Sequence, residues 1–270
     1  MEGQEIKGGA SRCPLWLVYC ESMAVKGVRL GKTKYAYETG RLGAENADTQ
    51  QRELFASKVI SLVSLQVIAT LLISALFVSS PALTLWAAQN VWLLYINMIL
   101  PFVFIFVIAF SESTSGGMAG LAGLTVSMSY LVGVVCGLED PMVVYQAASL
   151  TFLVCGLLMV YAYFGYRAGY SLLGYAPYVV NGLTILVFAG LIGLFCSPDG
   201  LYNYILTVVG LIFFCFVLIF NIQSVISGKN ADAFRGLEDK GAFLAAANIW
   251  LNIISIFLRI LSLSKGKSKQ

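Results

Sequence analysis

Histidine is missing from all 270 residues. That absence excludes histidine metal sites, Ser-His-Asp triads and Cys-His dyads. Charge is scarce too: 11% of residues are charged, against roughly 25% in an ordinary soluble domain. With 59% hydrophobic residues and a mean hydropathy of +0.82, the chain has too little polar surface to cover a soluble fold. Lipid is the solvent that suits it. The formal net charge of +3 offers no global basic excess, so no nucleic-acid partner is expected. Six cysteines (13, 20, 136, 155, 196 and 215) show no CxxC spacing. Most lie in or beside apolar stretches and read as small buried hydrophobes, not as a disulfide framework or zinc site. Neither a metal site nor a cofactor is expected.

What the chain does contain is apolar runs. Seven fall near 59–78, 91–110, 118–138, 142–164, 171–195, 201–226 and 242–263, each close to the ~20 residues that a helix needs to cross the hydrocarbon core. The loops between them are short and hold breakers such as Pro81, Gly116-Gly117, Pro141 and Ser197-Pro198-Asp199-Gly200. The expected architecture is an all-α polytopic membrane protein with seven transmembrane helices over 58–263. A polar arm precedes it over 1–57 and a basic tail follows over 264–270. The arm, with Lys58, carries nine of the seventeen Lys and Arg residues. It is expected to be cytosolic and partly disordered. Its Lys26, Arg29, Lys32 and Lys34 would either meet anionic headgroups or simply set the topology.

With that arm inside, the loops left outside (79–90, 139–141 and 196–200) contain no Lys or Arg. The inner loops carry Arg167, then Lys229, Arg235 and Lys240. The positive-inside rule therefore places the N-terminus in the cytoplasm, in a bacterial inner membrane or a eukaryotic organelle membrane. The tail residues Lys265, Lys267 and Lys269 run against the rule if all seven segments cross. A re-entrant or partly spanning last segment would keep them inside, and the sequence leaves both forms open.

Apart from Arg259 in the last segment, the polar residues within the apolar segments are neutral, among them Asn97, Gln146, Asn181, Asn221, Gln223, Asn248 and Asn252. All fourteen acids lie outside the segments or at their edges. Asn248, Asn252, Ser255, Arg259 and Ser262 recur at spacings of four, three, four and three, which places them in one stripe on one helical face. Such a stripe is expected to face the bundle interior. Its side chains would be interhelical glue or the lining of an ion path. Arg259 is placed to snorkel toward the interface. Gly116, Gly117, Gly120 and Gly123 allow close helix approach in lipid. Pro101 and Pro177 are expected inside helices, with Pro101 freeing the carbonyl of Asn97.

Two stretches carry a resemblance. Phe216-Val217-Leu218-Ile219-Phe220-Asn221-Ile222-Gln223-Ser224-Val225-Ile226 resembles the sixth-helix motif of the Bax inhibitor-1 family, hydrophobic-Tyr-Asp-Thr-Gln-x-Ile. The run from Ala245 to Leu258, with Asn248, Trp250 and Asn252, resembles its seventh-helix motif, Leu-Tyr-Leu-Asp-Ile-x-Asn-x-Phe-Leu. Tyr170-Ser171-Leu172-Leu173-Gly174 is similar to the family's Asp-Phe-Ser-Phe-Leu-Gly at the start of its fifth helix. Motif-level similarity is confined to the last hundred residues. The resemblance implies a seven-helix bundle with a central seventh helix. It also implies a pH-gated calcium leak latched by two aspartates, suppression of cell death in eukaryotes, and, in bacteria, modulation of a membrane-bound AAA protease. The chain departs from that pattern at the latch, where the aspartate positions are Asn221 and Asn252, and a third acidic position falls at Asn97. Amides keep shape and hydrogen bonding but cannot titrate near neutral pH, and calcium affinity depends on charged ligands.

Two functions follow as expectations. One is an ion or calcium leak without the usual pH control, its path set by Asn221, Asn252, Asn97, Asn248, Ser255, Arg259 and Asn181. The other is a non-conducting regulator of stress or cell death that acts on a membrane protein partner. An enzyme is not expected, because no buried acid, histidine or nucleophile-base pair is available.

Overall fold

The computed structural model describes residues 39–111, 113–195, 200–227 and 238–268. Among these residues there are eight α-helices: α1 (Thr39–Ser79), α2 (Pro81–Gln89), α3 (Val91–Phe110), α4 (Thr114–Gly137), α5 (Pro141–Arg167), α6 (Ala176–Phe195), α7 (Gly200–Ile226) and α8 (Glu238–Ser268). Pro81 and Pro141 begin helices, whereas Gly116-Gly117, expected in a loop, lies in the first turn of α4. A 3-10 turn, Leu172–Tyr175, leads into α6. No strand occurs among the described residues. All but α2 contain a span long and apolar enough to cross a membrane, beginning with Arg52–Ser79 and ending with Asp239–Lys265. The protein is an all-α polytopic membrane protein. Its outward Leu, Ile and Phe side chains meet the bilayer, as Phe152 does at 83% exposed.

Three sequence expectations are refined. Residues 79–90, read as a loop, contain α2, with Pro81 in its first turn, where a missing N–H costs no hydrogen bond. Pro177 likewise falls in the first turn of α6 rather than inside a helix, whereas Pro101 does lie inside α3. The stretch assigned to the polar arm is helical from Thr39 onward. The rest of that arm and the loop residues Lys229 and Arg235 lie outside the described residues.

The last helix resolves the choice left open above. It is continuous over 31 residues, and its ends lie at opposite faces of the bundle. Near its start, Asp239 accepts from Lys58 of α1 and from Thr114 of α4. Near its end, Lys265 pairs with Glu139 of the α4–α5 loop. It therefore runs from one end of the bundle to the other without turning back, and is long and apolar enough to cross a membrane. It is also central: 61% of its most apolar window is buried, against 11% for α3. Small residues make that position possible, with Ala242, Ala245, Ala246 and Ala247 all buried along it. The glycines of α4 do the same for aromatic neighbours. A Cβ on Gly117 would sit 2.7 Å from the Phe243 ring of α8, and one on Gly123 would overlap Phe104 of α3.

Candidate functional site at the α7–α8 seam

Helices α7 and α8 pack along much of their length, and they carry most of the residues expected to matter. On α8, Asn252 is 7% exposed, and its Nδ2 donates to the Asn248 carbonyl at 2.8 Å. Ser255 Oγ donates to the Leu251 carbonyl at 2.8 Å. Both bonds run within α8 to the residue four back, so neither side chain glues helices together. Asn248 and Ser262 are exposed. The stripe is thus exposed at its two ends and buried or half-buried at Asn252, Ser255 and Arg259 between them, while Trp250, Ile254, Ile256 and Ile260 are almost completely buried. Asn221 of α7 is half-buried.

The remaining candidates are dispersed. Asn97 Nδ2 donates to the Leu93 carbonyl at 2.9 Å within α3, one turn before the carbonyl that Pro101 frees. Asn181 is exposed on α6. No hydrogen bond joins Asn97, Asn181, Asn221 and Asn252 to one another among the described residues. Arg259 does not snorkel. Its Nη1 donates to the Leu206 carbonyl of α7 at 3.0 Å, and its Cζ lies 5.0 Å from the centre of the Phe214 ring.

Two polar arrangements were not anticipated as sites. Gln223 is 1% exposed and clamps the α5–α6 connection. Its Oε1 accepts from the Leu172 amide at 2.8 Å, and its Nε2 donates to the Tyr170 carbonyl at 3.1 Å. That connection turns at Gly169, the one described glycine with positive φ, at 88°, where a Cβ would be strained. The second arrangement is a ladder between α1, α4 and α8. Gln66 Nε2 donates to Thr125 Oγ1 at 3.1 Å. Thr70 Oγ1 accepts from Ser129 Oγ at 3.0 Å and from Trp250 Nε1 at 3.2 Å, while donating to the Gln66 carbonyl at 2.7 Å. The signal was present as Gln66-x3-Thr70 and Thr125-x3-Ser129, two matched spacings of four on different helices.

These donors define the chemistry available. No carboxylate lies deeper than the first two residues of any span. No three His, Cys, Asp or Glu side chains among the described residues are grouped to hold a metal ion. Passing calcium would meet neutral amides and hydroxyls, which are weak ligands without charged partners.

The family model described as inhibitor of apoptosis-promoting Bax1 matches residues 52–269. The chain belongs to the Bax inhibitor-1 family. Among its relatives is a BI1-like protein of Arabidopsis thaliana, 28% identical over 222 residues that cover 81% of this chain and 83% of the relative. LIFEGUARD 1 of the same plant is 25% identical, covering 80% and 90%. The Golgi anti-apoptotic protein of Vaccinia virus (strain Lister) is 26% identical, covering 83% and 90%. No solved structure matches. The Bax inhibitor-1 match begins at Arg52 and includes every seam residue described above. It leaves out the residues before Arg52, where no family counterpart to the polar arm was recognised.

Proposed function

We propose that this Bax inhibitor-1 protein is a membrane-embedded regulator of cell death that works through protein contacts, without a titrating calcium latch and without catalysis. The reading draws on the anti-apoptotic name of the viral relative and on the family description. One observation carries it. At the position that the family resemblance assigns to the latch on α8 stands Asn252, a neutral amide with one N–H bonded within its own helix, and Asn221 stands at the corresponding position on α7. Two carboxylates so placed would resist joint ionisation and titrate as a pair. Two amides hold one state at every physiological pH. In this reading the Lys58 end of the bundle faces the cytosol, in keeping with the charge of the arm.

The test is calcium flux from dye-loaded proteoliposomes across pH 6 to 8, comparing the wild type with N221D/N252D, alongside survival of cells given a death stimulus. The wild type is expected to be silent at each pH and to protect cells. A wild-type leak that switches strongly between pH 6 and 8 would overturn the proposal. A second reading, a leak without pH control, is favoured by the exposure of Asn248 beside buried Asn252. Steady wild-type flux at every pH would establish it instead.

A further inference from the structure

Arg259 is the one full charge deep within the last span, six residues before Lys265 and so about 9 Å below it along the helix axis. A guanidinium at that depth bears a desolvation cost that a neutral side chain avoids. It lies across α7. Leu206, Gly210 and Phe214, spaced by four, form one strip of that helix. The Leu206 carbonyl accepts one N–H, and the Phe214 ring lies beneath the charge. Gly210 between them has no side chain, and any Cβ there would overlap the guanidinium. The seat is thus shaped for arginine. Among the described residues no carboxylate neutralises it, since the ion pairs are Lys58 with Asp239 and Lys265 with Glu139. On α8 it follows Asn252 and Ser255 by seven and four residues along the same face.

We propose that Arg259 is a fixed positive charge that bars cations from the α7–α8 seam, making it the selectivity residue of any path past Asn252. The inference rests on the reading of a bundle closed to calcium and names what closes it. Seven helical residues separate Arg259 from Asn252, roughly 10 Å along the axis. At an effective dielectric of about 20, the charge lowers occupancy beside Asn252 roughly a hundredfold for a divalent cation and about tenfold for a monovalent one. Dependence on the charge of the ion separates an electrostatic barrier from a steric plug, which would hold back both alike.

The experiment uses the full chain in proteoliposomes and reads calcium and potassium entry. The background is N221D/N252D, so that carboxylates are present to receive a cation. R259Q is expected to raise calcium entry by one to two orders of magnitude over R259K, which keeps the charge, and to raise potassium entry by less. G210L keeps the arginine but takes its seat, and is expected to admit calcium at an intermediate rate even if R259Q folds poorly. Equal calcium entry in R259Q and R259K, an equal rise for both ions, or no entry in any variant would each overturn the assignment. Calcium entry gated by pH in the unmutated chain would instead sink the functional proposal and leave this comparison standing.

Discussion

Replacing Thr70 by valine tests whether the buried ladder joins α1 to the central helix. The substitution keeps the shape and removes the one oxygen that accepts from both Trp250 Nε1 and Ser129 Oγ. Trp250 and Ser129 are both 0% exposed, so no water or lipid headgroup replaces the lost acceptor. The Ser129 hydroxyl can turn to a carbonyl of its own helix, but the indole N–H has no such retreat. An orphaned buried donor costs about 1–3 kcal/mol. Interhelical bonds in membrane proteins average only ~0.6 kcal/mol, because the chain unfolded in lipid also finds partners. The two figures together place T70V at about 2 kcal/mol of destabilisation, and T70S, which keeps the hydroxyl, below ~1 kcal/mol. Reversible unfolding in mixed micelles by titration with dodecyl sulfate reads both. A double-mutant cycle with W250F is expected to return a coupling of about 1 kcal/mol. If T70V and T70S unfold together, or the cycle is additive, the ladder does not hold these helices and the reasoning fails.

Gln223→Leu removes both bonds to the α5–α6 connection and leaves two backbone groups without partners, at a cost of about 2 kcal/mol. Hydrogen exchange at the Leu172 amide is expected to quicken, and an unchanged rate would show that the clamp is dispensable. Ala246→Leu forces four-carbon bulk into a site that is 0% exposed and is expected to cost about 1–3 kcal/mol. Glu139→Gln breaks a pair in which Lys265 is 48% exposed and is expected to cost under ~1 kcal/mol. The reverse order in the same micelle titration would mean that the ends of α8, and not its packing, hold it in place.

The number and bounds of the crossings were legible because crossing a bilayer demands a length of apolar chain that nothing else in this sequence imitates. The glycines of α4 were legible for a related reason: in lipid, close approach needs small residues, and Gly117 does receive Phe243 of α8. The course of α8 was not. Whether it crosses or turns back depends on what Asp239 and Lys265 meet, and their partners Lys58 and Glu139 lie 181 and 126 residues away. Hydropathy says nothing about such pairings. Nor could it reveal α2, since nine residues between two spans read equally well as loop or as a helix stopped by Asn90.

At the candidate site the visible pattern and the interhelical contacts parted. A polar stripe on an apolar helix is easy to see, but Ser, Thr and Asn can always turn to the carbonyl one turn back. Asn97, Asn252 and Ser255 all do so, so their spacing carries no information about a neighbouring helix. A buried glutamine, indole or guanidinium is different: its donors reach past its own helix and need a partner elsewhere. Gln66 finds Thr125, Gln223 finds Tyr170, Trp250 finds Thr70, and Arg259 finds Leu206. Thr70 serves two partners because its hydroxyl proton is already spent on the Gln66 carbonyl, which leaves both lone pairs free to accept. In this bundle the long polar side chains report which helices touch, whereas a short one does so only where a neighbouring helix brings it a partner, as Thr70 does for Ser129.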